Sequence, residues 1–189
     1  MKTEHRGSLL SAITDVFEKF GFMFVETAGE PAPDGGDEYL QASITFSGPA
    51  RGEISIAASP DLSRQLAANA LGVPAGEANA ETGQDALKEL VNLICGELTV
   101  ALFGEQPVFD LGVPRVDPID GDRWRELYTD PQNVRVWADE AAVVGSLVVV
   151  GEKSEVGNRR VGPAEAGPSG HLPRARSASG RRGKSEVET

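Results

Sequence analysis

Histidine and cysteine are nearly missing from this 189-residue sequence, which holds two His (His5 and His171) and one Cys (Cys95). A lone cysteine excludes an intrachain disulfide and fits a reducing cytoplasm. With so few imidazoles and thiols, no metal site is predicted. Long apolar runs are missing too. No stretch reaches the 18 or so residues that a membrane-spanning helix needs, so no membrane partner is expected. The opening "MKTEHRGSLLSAITDVFEKFG" lacks the apolar centre of a secretion signal, because Asp15, Glu18 and Lys19 interrupt it. The expected location is the cytoplasm. No internal repeat is visible.

Positive charge is scarce except at one end. The formal net charge is −11, yet residues 156–189 hold seven Lys/Arg against three Glu. That segment is +4, which leaves −15 on residues 1–155. An acidic body argues against a nucleic-acid partner and against docking on anionic lipid. It suits a partner with a basic patch, or solubility alone. The last stretch is rich in Gly, Pro, Ser and Arg and nearly devoid of large apolar groups. It cannot bury enough to offset its ordering entropy. The expected organisation is one domain over 1–155 and a disordered tail over 156–189.

What is present is regular patterning. Leu9, Leu10, Ile13, Val16, Phe17 and Phe20 recur at helical spacing, which predicts a helix over 8–20 closed by Gly21. Residues 22–28 alternate as a strand, and "EPAPDGGD" (30–37) reads as a turn or loop. Residues 38–48 and 51–59 predict a hairpin. Ser59-Pro60-Asp61 starts a helix over 60–71 that Gly72 stops. A long helix follows, with Thr82 as a candidate cap and Gly104 at its end. Residues 107–117 read as extended but interrupted by Pro114, and 133–140 with 141–151 as a last hairpin. Arg123, Trp124 and Arg125 fall in a predicted loop. Val143, Val144 and Leu147–Val150 read as an interior strand or, alternatively, a dimer-forming edge. Strands in hairpin-linked runs predict an α+β fold, a largely antiparallel sheet packed with long helices.

The long helix carries the unusual feature. At about 100° per residue, Asp85, Glu89, Asn92 and Gly96 fall within about 60° of arc. Leu87, Leu90, Ile94, Leu98 and Ala101 fall on the opposite side, the predicted core face. Cys95 lies on a flank, as a partly buried and inert thiol. Asn and Gly are poor helix formers, so the stripe is not what helix propensity alone would choose. An exposed amide both donates and accepts hydrogen bonds, so it can hold a water in line with a phosphorus atom. A carboxylate nearby can pair with a Lys or Arg of whatever carries the phosphate. Spacing alone decides nothing here. With 18 Glu and 5 Asn in the chain, Glu-x2-Asn should arise by chance roughly half a time.

A longer pattern adds what spacing lacks. Asp85-x3-Glu89-x2-Asn92-x21-Pro114 resembles the Asp/Ser-x3-Glu-x2-Asn-x21-Pro motif of the chemotaxis phosphatases CheC, CheX and FliY. Requiring all four positions cuts the chance expectation to roughly 0.004. The "NLICG" run, Asn92–Gly96, adds to the likeness, which extends over about residues 5–152. The resemblance implies an α+β domain, sheet-edge homodimers as in CheX, and dephosphorylation of a phosphorylated CheY-like response regulator. It implies that Asn92 orients the attacking water and that Glu89 pairs with a lysine of the regulator. Asp85 matches the first motif position and, with Gly96, is assigned to partner contact; Pro114 matches the last, with a structural role. The implied Mg²⁺ belongs to the regulator, so no cofactor of the chain's own is expected. The first helix shows Glu18 followed by Gly21 where CheC would repeat its motif with Asn, which predicts one site, as in CheX. The alternatives are a non-catalytic module that binds a regulator, or a dimeric scaffold whose stripe is merely solvated.

Overall fold

A computed structural model describes residues 2–29 and 36–151. Residues 30–35 of the expected loop and the whole of the expected tail lie outside the described residues. The elements run α1 (Thr3–Lys19), β1 (Val25–Thr27), β2 (Glu38–Ser47), β3 (Arg51–Ala58), α2 (Pro60–Leu71), a 3-10 turn (Ala75–Glu77), α3 (Ala80–Phe103), β4 (Asp110–Leu111), β5 (Arg115–Asp120), α4 (Gly121–Thr129), β6 (Val134–Ala138) and β7 (Ala141–Val150). All strand pairs are antiparallel, in the order β1-β6-β7-β3-β2, with β4 and β5 sharing the far side of β2. This is the expected α+β sheet.

One face of the sheet meets α1 and α3, with α2 packed on α3. Ile13, Phe17, Ile44, Ile54, Ile56, Leu87, Leu90, Ile94 and Leu98 are sealed from water between them. Each such side chain contributes about 1.5–3 kcal/mol by burial, enough to place α3 firmly. The other face is covered at one end by α4. There Trp124 stacks on Tyr39 with ring centroids 4.2 Å apart, and Leu127 and Tyr128 pack on Ala57 and Val144.

Several expectations need correction. Helix α4 stands where a loop was expected. The Asp120 carboxylate accepts from Arg123 N–H at 2.8 Å, a cap, and Trp124, Leu127 and Tyr128 supply a buried stripe at helical spacing. Arg123 pairs with Glu126 at 2.9 Å and Arg125 with Asp122 at 2.8 Å, so both are committed within α4. Helix α1 starts at Thr3 rather than residue 8, because His5 is buried and Arg6 donates to the Asn133 carbonyl at 3.4 Å. Strand β1 shrinks to three residues. Phe22 takes a left-handed φ of 51°, and Phe24 N–H is turned onto the Asp139 carboxylate at 3.0 Å. The β7 edge reading fails, since β7 is paired on both sides, by β3 and β6.

Candidate functional site

Helix α3 is 24 residues long and capped at both ends. Its N-cap is Asn79 rather than Thr82. The Asn79 side chain accepts from Thr82 N–H at 2.9 Å, and Thr82 Oγ1 accepts from Asn79 N–H at 3.0 Å, a reciprocal capping box. Gly104 closes the helix with φ of 81°. Between the caps, α1, α2 and the sheet cover a wider arc than the sequence pattern implies. Cys95 is therefore fully buried instead of flanking, and desolvation pushes its thiol up to about 12. Ala101 goes the other way. It is exposed, while its neighbours Leu102 and Phe103 are the ones packed against the core.

The polar stripe lies where the helical geometry put it. Asp85 and Glu89 are exposed, and Asn92 and Gly96 are partly exposed. Their neighbours Leu87, Leu90, Ile94 and Leu98 point into the core, which fixes the rotation of the stripe. Along the axis the four residues span about 16 Å at 1.5 Å per residue. Asp85 is committed locally, its carboxylate 2.8 Å from Lys88 Nζ. Among the described residues, neither the Glu89 carboxylate nor the Asn92 amide has a hydrogen-bond or ion-pair partner.

Gly96 differs from the glycine one face away. A Cβ built at Gly83 would sit 2.7 Å from Ser63 Oγ, so Gly83 is what lets α2 approach α3. A Cβ at Gly96 would meet nothing within 4 Å. Nothing inside the described structure needs a glycine there, although Gly costs a helix interior about 0.8–1.0 kcal/mol relative to Ala. Pro114 is apart from the stripe in the chain and serves the sheet edge. Between Leu111, which faces Phe46, and Arg115, which faces Ser43, the three residues Gly112–Pro114 stand opposite two of β2, Ile44 and Thr45. The bulge divides β4 from β5, and a proline, with no N–H to give, is at home in it.

These features fit the comparison with known families. Residues 40–123 match the family model of the chemotaxis phosphatase CheX. Over that stretch the chain resembles CheX. That stretch holds all four motif residues, Asp85, Glu89, Asn92 and Pro114. The fold is shared with CheX from Vibrio vulnificus at 18% identity and a TM-score of 0.59, covering 78% of this chain and 97% of that one. It is shared as well with a CheC-like protein of Shewanella sp. PV-4, at 18% identity and a TM-score of 0.57, over 80% of this chain and 100% of that one. A third relative is the Borrelia burgdorferi CheX solved in complex with CheY, BeF3 and Mg²⁺, with 16% identity, a TM-score of 0.55, and cover of 78% and 99%. No protein of curated function matches the chain in sequence. Among the described residues no helix is long and apolar enough to cross a membrane, and no group of three or more His, Cys, Asp and Glu could hold a metal ion.

Proposed function

We propose that the protein is a phosphatase that speeds hydrolysis of the phospho-aspartate of a CheY-like response regulator, working in the cytoplasm in chemotaxis or another two-component pathway. One observation carries the reading. Glu89 and Asn92 share an exposed face of a rigid, doubly capped helix, with their polar ends uncommitted among the described residues. The complex of the Borrelia CheX with CheY, BeF3 and Mg²⁺ supplies the class of partner.

In the proposed reaction the Asn92 amide reaches the regulator's acyl phosphate and holds a water in line with the phosphorus. The water oxygen bonds to phosphorus as the P–O bond to the aspartyl group breaks, and inorganic phosphate leaves with the regulator's carboxylate restored. Positioning of this kind removes the entropic part of the barrier, and the helix supplies it ready-made. Glu89, about 5 Å along the axis from Asn92, pairs with a lysine of the regulator and fixes the approach. Mg²⁺ is the regulator's own, so the chain needs no cofactor. Asp85, held by Lys88, lies at the rim of the contact.

A sheet-edge homodimer completes the proposal. Since β7 is interior, the free edges among the described residues are β1 and the β4–β5 side, and we assign the contact to β1, beside which Phe22 and Phe24 stand 72% and 66% exposed. Sedimentation velocity should find a dimer that Phe24→Asp converts to monomer. A monomeric wild type overturns the dimer and leaves the phosphatase reading standing. The phosphatase reading itself is tested by charging each response regulator of the host with phosphate and following its loss. Acceleration for at least one regulator is expected; no effect on any of them rejects an enzyme.

A further inference from the structure

Beyond Gly96 the stripe does not end in solvent. It opens into a groove of about 230 Å³ between the last two turns of α3 and the segment leading into β4. Gly96, Val100 and Gly104 form one wall, and Pro107, Phe109 and Leu111 the other. Phe109 is anchored from behind, its ring 5.0 Å from that of Phe103 and 5.9 Å from that of Phe46, so the groove has a fixed floor. No charged side chain lines it. Small-molecule sites usually run to about 300–1,000 Å³ and hold a few convergent polar groups, so this hollow is too small and too plain for a nucleotide or metabolite. Its scale is that of one large side chain.

The rim is apolar and uncovered. Val100 is 49% exposed and Leu111 38%, while Val108 and Val113 stand at 82% and 86%. Val100 and Leu111 both line the groove, so its mouth is apolar on either side, and apolar surface left open in this way suits a contact. Its place says which contact. Val100 lies about 12 Å along the helix axis from Asn92, and the turn from Asn92 through Gly96 to Val100 drifts only about 80° around it. A specific protein partner covers about 800 Å² on each side, equivalent to a disc of about 16 Å radius. Any regulator centred on Asn92 therefore also covers the groove.

Resting on the phosphatase reading above, we propose that this groove is the specificity element of the site. It receives one large apolar side chain that the response regulator presents beside its phosphorylated aspartate. Polar Glu89 and Asn92 then serve chemistry common to phospho-aspartates, and the groove selects among regulators by whether they carry the matching apolar knob. Gly96 belongs to both parts, since its bare backbone lets the partner close over the junction.

The test is titration of the full chain with the host's response regulators, each charged with beryllofluoride and Mg²⁺, using wild type, Val100→Asp, Val100→Thr and Asn92→Ala. Val100→Asp should weaken binding at least tenfold and the near-isosteric Val100→Thr about threefold, with melting temperatures close to wild type, while Asn92→Ala changes affinity less than threefold. Wild-type affinity in a folded Val100→Asp and Val100→Thr overturns the groove. Binding without faster phosphate loss rejects the phosphatase reading alone, and the Val100 pair still decides the groove. A wild type that binds no charged regulator overturns both.

Discussion

Replacing Gly96 by alanine separates what the fold needs from what a partner needs. In an exposed helix interior, Gly→Ala gains about 0.8–1.0 kcal/mol, because the chain loses less backbone freedom on folding. No atom lies within 4 Å of the position a Cβ would take at Gly96, so no steric cost offsets that gain. For a domain of this size the gain corresponds to a rise in Tm of about 2–4 °C. Gly83→Ala is the control on the same helix. Its Cβ would fall 2.7 Å from Ser63 Oγ and 3.1–3.2 Å from the Ser63 and Arg64 backbone, so α2 must move, at a cost of about 1–3 kcal/mol. Differential scanning calorimetry should find the two variants shifted in opposite directions. The stabilised Gly96→Ala should at the same time stimulate regulator dephosphorylation at least fivefold less, since a methyl group now stands where the partner closes in. A fall in Tm would mean that Gly96 is structural. A rise in Tm with full stimulation would mean that the bare turn serves no partner, and the reasoning from the glycine would be wrong.

Two further outcomes follow from α3. Asn79→Ala removes one half of the capping box and should cost about 0.5–2 kcal/mol in urea unfolding, with the m-value unchanged. Cys95, held protonated by burial to about 12 against an ordinary 9.0, should resist thiol reagents until the protein unfolds. In alkali the unfolded chain releases this proton while the folded chain keeps it, so stability should fall as pH rises from 9 towards 12; a Cys95→Ala variant should show a shallower fall over that window.

The elements that the sequence announced were those whose signal is local. Ser59-Pro60 opens α2 and Gly72, with φ of 67°, closes it, as their chemistry dictates. The 3.6-residue period of α3 set both its core and its outward stripe. Where the sequence misled, a distant contact had decided. The polar first turn of α1 is held by burial of His5 and by the contact of Arg6 with Asn133. Cys95 is buried because helices on both sides of α3 close over it. Helix α4 was readable in principle, since Asp120 followed by Trp124, Leu127 and Tyr128 is a cap with an i, i+3, i+4 stripe. The groove was not readable. Val100, Pro107, Phe109 and Leu111 come together only because β4 turns back along β2, and no spacing in the chain encodes that.

The central claim is that an amide on α3 positions a water on a partner's phospho-aspartate. It is tested most directly by the lifetime of a phosphorylated regulator in the presence of wild type, Asn92→Ala and Glu89→Lys. Asn92 is partly exposed and makes no hydrogen bond among the described residues, so its loss should leave Tm within about 1 °C and binding intact. The account predicts that wild type shortens the lifetime at least tenfold, that Asn92→Ala abolishes the effect even at saturating concentration, and that Glu89→Lys loses it through weaker binding. An Asn92→Ala protein that still shortens the lifetime as wild type does would contradict it.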